Sequence, residues 1–210
     1  MPSPWLDVPL ADYEGHMAHV GQAPVLARHF AAALAELRPA SVAVLGAAGG
    51  SGFDSLPGSS VRRTVAIDVN PGYLRELERR YSHVVPGLAC VCADLADPAA
   101  RFAPVDYVHA ALVFEYADPA TVLGRMADWL VPGGTLGVVL QMAGAGTVSP
   151  SPFTSLQRLG PAISLREPAA FAALARDAGL EQVSERIVAL PGGKRFHAAR
   201  YRLKSPAQKG

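Results

Sequence analysis

Short apolar runs alternate with stretches of helical periodicity along most of the chain. Seven runs have the length and spacing of strands: Val42–Leu45, Thr64–Ile67, Val84–Ala93, Val105–Val113, Thr135–Met142, Leu180–Leu190 and Arg195–Leu203. Helical patterns occupy Ala11–Leu37, Gly72–Arg80, Ala120–Leu130 and Pro168–Ala178. This alternation is typical of a parallel sheet that is covered by helices.

Proline and glycine punctuate this pattern at three places. Pro132, Gly133 and Gly134 predict a turn that precedes the fifth strand. Residues 191–193, Pro-Gly-Gly, predict a hairpin, so the last strand should run antiparallel to the strand before it. Between them, residues 144–164 are small, polar and rich in proline, which predicts a long loop of the kind that often carries function.

The size of the chain fits one domain. It has 210 residues, of which 50% are hydrophobic, enough for one good core. We therefore predict a single domain over residues 1–210, with an N-terminal helical segment at 1–40 and a flexible tail at 204–210. The predicted fold is a doubly wound, mostly parallel α/β sheet of seven strands, with an antiparallel last strand and the N-terminal helices as a lid.

Charge and cysteine content narrow the class of partner. Lys and Arg number 19 against 18 Asp and Glu, so no basic excess indicates nucleic acid. No apolar run is long enough for a membrane span, and the first ten residues lack the pattern of a secretory signal. Cys90 and Cys92 lie two positions apart on one predicted strand, and we expect no disulfide between them, which fits a reducing compartment. We expect a cytoplasmic monomer or homodimer whose partner is a small molecule.

No metal site is expected. His16 and His19 share a helical face, but zinc needs further ligands, and we do not expect Cys90 and Cys92 to supply them. His109 lies inside an apolar strand, where a core histidine is the commoner outcome.

The stretch VLGAAGGSGF joins the first strand to a helix-like segment. Such a turn presents unpaired backbone N–H groups and the positive end of a helix dipole, and its small residues allow a ligand to approach the backbone. It therefore predicts a nucleotide-like ligand. The spacing excludes G-x-G-x-x-G. Gly46, Gly50 and Gly52 resemble the loop of short-chain dehydrogenases, but no tyrosine is followed four residues later by lysine, as that family requires.

Several motifs in order resemble class I S-adenosylmethionine-dependent methyltransferases, and this resemblance covers Ser41 to Leu203. VLGAAGGSGF resembles the glycine-rich first motif, with Gly50 and Gly52 at its second and third glycines. VAIDVNPGYL resembles the second motif and VCADL the third. VDYVHAALVFEYADP and LVPGGTLGVVL resemble the fourth and fifth strands of that family.

The resemblance implies S-adenosylmethionine as cofactor and S-adenosylhomocysteine as product. Asp68 would bind both ribose hydroxyls, since a carboxylate accepts two hydrogen bonds from a vicinal diol. Asp94 would receive the adenine amino group, with Leu95 beside it. The full set of cofactor residues that the resemblance implies is Gly46, Ala48, Gly50, Gly52, Asp68, Val69, Asp94, Leu95 and Ala110.

Two positions depart from the family pattern. Gly46 stands where the family has an acidic residue, which removes an expected contact to the cofactor, and Glu14 or Glu115 would have to replace it. Ala48 stands at the first glycine of the loop, a mild change if its φ is negative.

Methyl transfer needs few catalytic groups, because the sulfonium already activates the methyl group. Glu115 and Tyr116, after the fourth strand, and Tyr13 and His16, from the N-terminal segment, are the candidate bases. We expect methyl transfer to a small molecule. A non-catalytic or regulatory protein of the same fold, in which Gly46 marks a lost cofactor site, and a nicotinamide-dependent dehydrogenase are the alternatives. Asn70 either contacts the ribose or caps the helix that follows it.

Overall fold

A computed structural model describes residues 3–144, 147–190 and 193–204. Its helices are α1 (Leu10–His19), α2 (Gln22–Leu37), α3 (Pro71–Tyr81), α4 (Pro119–Leu123), α5 (Met126–Trp129) and α6 (Pro168–Asp177). Its strands are β1 (Ser41–Leu45), β2 (Arg63–Asp68), β3 (Leu88–Cys92), β4 (Val105–Ala111), β5 (Leu130–Gln141), β6 (Leu180–Ala189) and β7 (Arg195–Leu203). Three 3₁₀ helices occupy Pro4–Asp7, Phe53–Ser55 and Thr154–Ala162.

The seven strands form one sheet in the order β3-β2-β1-β4-β5-β7-β6. Pairs among β1 to β5 are parallel, whereas β7 is antiparallel to both β5 and β6. The predicted doubly wound fold with an antiparallel last strand is confirmed. Of the predicted hairpin turn, residues 191 and 192 lie outside the described residues, as do residues 205–210 of the predicted tail.

Alternate side chains of the central strands supply two separate cores. Ala43 and Leu45 of β1 face the core that contains Trp129 and Phe171, under α4 to α6. Val42 and Val44 face the opposite core, under α2 and α3. A strand buried on both faces must be apolar at every position, which is why β1 shows no polar alternation.

The N-terminal helix is two helices rather than one. Gly21 has φ +69°, a left-handed conformation that glycine adopts without strain and that ends α1 before α2 begins. The pattern Ala11–Leu37 kept its apolar periodicity across this break, so periodicity alone did not reveal it. The predicted helix Ala120–Leu130 is likewise two short helices, α4 and α5, on either side of Gly124.

Two strands begin four or more residues away from their predicted first residue, whereas the other strands differ from their predictions by at most two residues at either end. The third strand begins at Leu88 instead of Val84, because the amides of Val84 and Val85 donate to Tyr81 O and continue the turn after α3. The fifth strand already begins at Leu130, so the Pro-Gly-Gly sequence interrupts the pairing of β4 and β5 instead of preceding the strand. None of the described helices has the length and apolar character to cross a membrane.

We expect Gly137→Ala to destabilise the sheet. A Cβ at Gly137 of β5 would overlap the hydroxyl of Tyr107, which is fully buried and bonds to Nδ1 of His109 at 2.9 Å. Overpacking of this kind costs about 2 kcal/mol of the free energy of unfolding, measurable by chemical denaturation. Gly160→Ala is the control, since its added Cβ would meet only Thr147 Oγ1 at 3.9 Å. Equal stability of the two variants would contradict the packing described here.

Candidate active site

A cleft opens at the carboxyl ends of β1, β2, β4 and β5. Gly46, Asp68, Leu112 and Gln141, which end or follow these strands, all line it. β1 pairs with β2 on one side and with β4 on the other, so the chain crosses over here, and ligands of doubly wound sheets bind at such a switch point. The N-terminal segment and residues 147–163 form the remaining walls.

The loop after β1 is folded by its own backbone. Ala47 N donates to Ile67 O at 3.0 Å, and Gly50 N donates to Ala47 O at 2.9 Å. Gly46, Gly50 and Gly52 have φ +66°, +91° and +85°, so each occupies the left-handed region. Gly50 and Gly52 shape the loop and do not line the cleft: a Cβ at Gly50 would collide with Tyr81, and one at Gly52 would touch Ala27 and Phe30.

Ala48 has φ +46°, contrary to the negative angle that would make it a mild substitution. A left-handed non-glycine residue costs on the order of 1 kcal/mol. The N–H of Ala48 donates to Oδ2 of Asp68 at 2.9 Å, and this bond to a carboxylate holds the strained residue in place.

Gly46 must be glycine in this chain. A Cβ there would lie 2.8 Å from Cγ2 of Val113, in addition to the strain of its positive φ. An acidic side chain at position 46 would therefore need both Val113 and the loop to move. The departure from the family pattern has a steric cause on the neighbouring β4 turn.

Asp68 lies at the end of β2 and is only 8% exposed. Its Oδ2 accepts from Ala48 N and its Oδ1 accepts from Asn70 N, both at 2.9 Å. Burial raises the pKa of Asp68, and the backbone N–H groups of Asn70, Ala48 and Val69 partly offset that rise. A carboxylate has about four acceptor positions, so two remain for a vicinal diol in the cleft. The site therefore fits a ribose.

Asn70 caps the helix that follows it. Its Oδ1 accepts from Gly72 N at 2.9 Å and from Tyr73 N at 3.3 Å, while its Nδ2 donates to Trp5 O at 2.9 Å. The capping interpretation is thus the one that the contacts support, and the same side chain ties the N-terminal segment to the rim of the cleft.

Asp94 and Leu95 follow β3 and line the cleft together with Val69. Oδ1 of Asp94 accepts from Ala96 N at 2.9 Å, so this residue also forms a local turn. Asp94 is exposed, and a carboxylate keeps further acceptor positions after one such bond.

The N-terminal segment covers the cleft through aromatic residues. The ring of Trp5 packs edge-on against Tyr13 at 5.6 Å and against Tyr116 at 5.0 Å, and all three side chains line the cleft. Glu14 instead pairs with Arg80 of α3 at 2.5 Å and is not among the lining residues. Glu14 is therefore not placed to replace the missing acid.

Glu115, the other candidate for replacing the missing acid, does line the cleft. It is 3% exposed, and its Oε1 accepts from Gln141 N at 2.6 Å. Its Oε2 is buried and has no hydrogen-bond partner among the described residues. Burial raises the pKa of Glu115 to about 7, against the opposing influence of the Gln141 N–H and of the charges on Arg166 and Lys194.

Lys194 is a functional candidate that sequence reasoning missed. It is 8% exposed, lines the cleft, and donates from Nζ to Thr147 O at 3.0 Å. Burial lowers the pKa of Lys194, and the carboxylate of Glu115 acts in the opposite direction. Only the topology could have indicated that Lys194 reaches the cleft. Because β7 is antiparallel to β5, it begins at the edge of the sheet where β5 ends, and residue 194 precedes it there.

The other predicted site residues are placed less centrally. Tyr116 lines the cleft, and burial raises its pKa well above the usual value for tyrosine. His16 is buried and bonds through Nδ1 to Ser151 Oγ at 2.8 Å, behind the lining residues. Ala110 is fully buried within β4 and does not line the cleft.

His109 is a core residue that contacts Tyr107. The described residues contain no cluster of three potential metal ligands.

Comparisons with known proteins agree with this geometry. The model of the methyltransferase domain family matches residues 44–138. This match confirms the resemblance to class I S-adenosylmethionine-dependent methyltransferases, and the cofactor that it implies is S-adenosylmethionine. No curated protein is similar enough in sequence to count as a relative.

Solved structures share the fold at low sequence identity. N-methyltransferase NodS from Bradyrhizobium japonicum WM9, in complex with S-adenosyl-L-homocysteine, is 18% identical over 84% of this chain and 86% of its own, with a TM-score of 0.62. The 1,6-didemethyltoxoflavin-N1-methyltransferase of Burkholderia thailandensis, with 1,6-didemethyltoxoflavin and S-adenosylhomocysteine bound, is 20% identical over 98% of this chain and 91% of its own, with a TM-score of 0.66. A methyltransferase in complex with the Haloferax volcanii Trm112 activator is 17% identical over 90% and 96%, with a TM-score of 0.65.

The raised pKa of Glu115 makes stability depend on pH. The folded state holds this proton more tightly than the unfolded state, whose pKa is near 4.5, so the stabilisation is complete below 4.5 and is lost as pH rises through 7. We expect the wild type to lose on the order of 3 kcal/mol more than Glu115→Gln between about pH 5 and pH 8, measured by chemical denaturation.

The charged and titratable groups near Glu115, which are Arg166, Lys194 and Tyr116, remain in both proteins, so the difference reports the titration of residue 115 together with its coupling to them. If the free energy of unfolding changed with pH in the same way for both proteins, Glu115 would not be in the buried environment described here.

Proposed function

We propose that this protein transfers the methyl group of S-adenosylmethionine to a small-molecule acceptor. The observation that carries this proposal is Asp68, a buried carboxylate at the end of β2 that fastens the glycine-rich loop and still has acceptor positions facing an open cleft. The cofactor side of the cleft would run from the loop at Gly46 and Ala48, through Asp68 and Val69, to Asp94 and Leu95.

The roles on the cofactor side follow from chemistry. Asp68 would accept hydrogen bonds from the two ribose hydroxyls and Asp94 one from the adenine amino group. Gly46 and Ala48 would let the backbone approach the amino-acid half, because neither carries a long side chain. The N-terminal segment, fastened through Asn70 to Trp5, would close over the bound molecule and exclude water.

When bound, the cofactor supplies an electrophilic methyl group whose sulfur leaves as a neutral thioether. The chain has to orient the acceptor in line with that group and, for an N–H or O–H acceptor, to receive its proton. Glu115 is the base that the geometry supports, because Oε2 is unpartnered in the cleft and a pKa of about 7 suits proton transfer. Burial raises the pKa of Tyr13 to about 12 and that of Tyr116 further, so both would remain protonated.

Two features support a small acceptor. The cleft lies inside the domain beneath the N-terminal segment, where apolar residues such as Leu156 and Leu159 form its wall. Two proteins of the same fold, from Bradyrhizobium japonicum and Burkholderia thailandensis, are named for N-methylation, the latter of 1,6-didemethyltoxoflavin.

The proposal predicts that Asp68→Asn weakens cofactor binding. Loss of the charged acceptor should raise the Kd for S-adenosylmethionine and S-adenosylhomocysteine at least about tenfold, the usual effect of removing a hydrogen bond to a charged group. Isothermal titration measures both constants, and circular dichroism verifies that the variant is folded. Asp128→Asn, on an exposed position of α5, is the matched control and should bind as the wild type does.

Failure of the folded wild type to bind either ligand at millimolar concentration would refute the proposed function. Equal affinities of the wild type and Asp68→Asn would remove Asp68 from the site.

A further inference from the structure

A buried acid and a buried amine face the same end of the cleft without pairing. Glu115 is 3% exposed and Lys194 is 8% exposed, and both line the cleft. Each shifts the pKa of the other, so they lie within electrostatic reach. They nevertheless form no ion pair in the part of the chain that the structure describes. This end of the cleft, which we call the acceptor end, is distant in sequence and in sheet position from Asp68.

The free oxygen of Glu115 requires a hydrogen-bond donor. Oε1 is fixed by the backbone N–H of Gln141, whereas Oε2 has no partner among the described residues although it is fully buried. A buried carboxylate oxygen without a partner is costly, on the order of 1–3 kcal/mol or more. A ligand N–H or O–H that reached Oε2 would remove this cost.

The ammonium of Lys194 requires an acceptor in addition to the one it has. Nζ carries three donors and uses one on Thr147 O at 3.0 Å. Thr147 O also accepts from Gln141 Nε2 at 2.8 Å, so the carbonyl that holds Lys194 is itself fixed in place. A ligand oxygen beside the donor group would bind to the remaining N–H groups.

Much of the remaining lining of the cleft is apolar or aromatic. The ring of Trp5 contacts the rings of Tyr13 and Tyr116 edge-on. Leu156 and Leu159, which are 3% and 1% exposed, pack in the same cluster with Tyr13 and Tyr116. Such walls suit a flat ring and disfavour a strongly hydrated zwitterion, whose two charges would lose their water shells.

We propose, on the basis of the proposed function, that the acceptor is a planar heterocycle with a ring N–H next to a carbonyl, the N–H bound by Glu115 and the carbonyl by Lys194. This lactam-type group presents one donor and one acceptor side by side, which matches the unpaired acid and amine. The nitrogen that donates to Oε2 is then also the atom from which Glu115 receives the proton.

Glu115→Gln tests this arrangement because it inverts one hydrogen bond. The N–H of Gln141 requires an acceptor, so the amide oxygen of the variant takes the place of Oε1 and its NH₂ group takes the place of Oε2. The cleft then presents a donor where the wild type presents an acceptor. Two bicyclic probes of the same shape distinguish a donor from an acceptor at this position. They are 2-quinolinone, which has a ring N–H, and coumarin, which has a ring oxygen in its place.

Probe binding is measured by titration at saturating S-adenosylhomocysteine and again without it. We expect the wild type to bind 2-quinolinone at least about tenfold more tightly than coumarin, and Glu115→Gln to abolish this preference. Lys194→Met should weaken both probes by a similar factor, because both keep the carbonyl. Glu181→Gln, an exposed position of β6, is the matched control and should leave every constant unchanged.

The outcomes separate this inference from the proposed function. Equal binding of the two probes by the wild type, or no binding of either, overturns the inference whatever the variants do. If Glu115→Gln weakens S-adenosylhomocysteine about tenfold and leaves the probes unchanged, Glu115 contacts the cofactor and the inference is wrong. If the wild type does not bind S-adenosylhomocysteine at all, the proposed function fails, and the probe preference measured without it still decides the assignment of Glu115.

Discussion

The carboxylate of Asp68 joins the two loops on which the cofactor side of the cleft depends. Through one oxygen it holds the N–H of Ala48, in a left-handed conformation that alanine adopts only under strain, and through the other it holds the N–H of Asn70. Asn70 in turn caps α3 and binds the backbone of Trp5. One buried carboxylate thus connects the glycine-rich loop, the proposed ribose position and the N-terminal segment over the cleft.

The opposite end of the cleft follows a different principle. Glu115 and Lys194 are buried and form no ion pair with each other among the described residues. Oε2 of Glu115 has no partner there, and Nζ of Lys194 donates to Thr147 O alone, so both keep hydrogen-bonding capacity for a ligand in the cleft. Buried polar groups without partners lower the free energy of unfolding. Proteins keep such groups mainly at functional sites, where a ligand can bind them. Both oxygens of Asp68 accept from backbone N–H groups, of Ala48 and Asn70, whereas only one oxygen of Glu115 has a partner among the described residues. Asp68 therefore holds the loops of the site in place, and we propose that Glu115 contacts the ligand.

Much of the fold could be predicted from the sequence, because each strand of a buried parallel sheet is an apolar run of distinct length. The positions of Asp68, Asp94 and Glu115 also followed, since residues at the carboxyl ends of parallel strands share one edge. The break at Gly21 was hidden by continuous periodicity, and the sign of φ at Ala48 depends on a hydrogen bond made by a residue twenty positions away. Lys194 was missed because its approach to Glu115 requires the register of β5 and β7, which no local pattern contains.

The most direct measurement of the central claim is a crystal structure of the protein with S-adenosylhomocysteine. The account predicts that both ribose hydroxyls lie within hydrogen-bond distance of Asp68, that the loop from Gly46 to Gly50 keeps its left-handed residues, and that Glu115 Oε2 remains free beside the vacant acceptor end. A nucleoside bound elsewhere, or a loop that must unfold to admit it, would contradict the account.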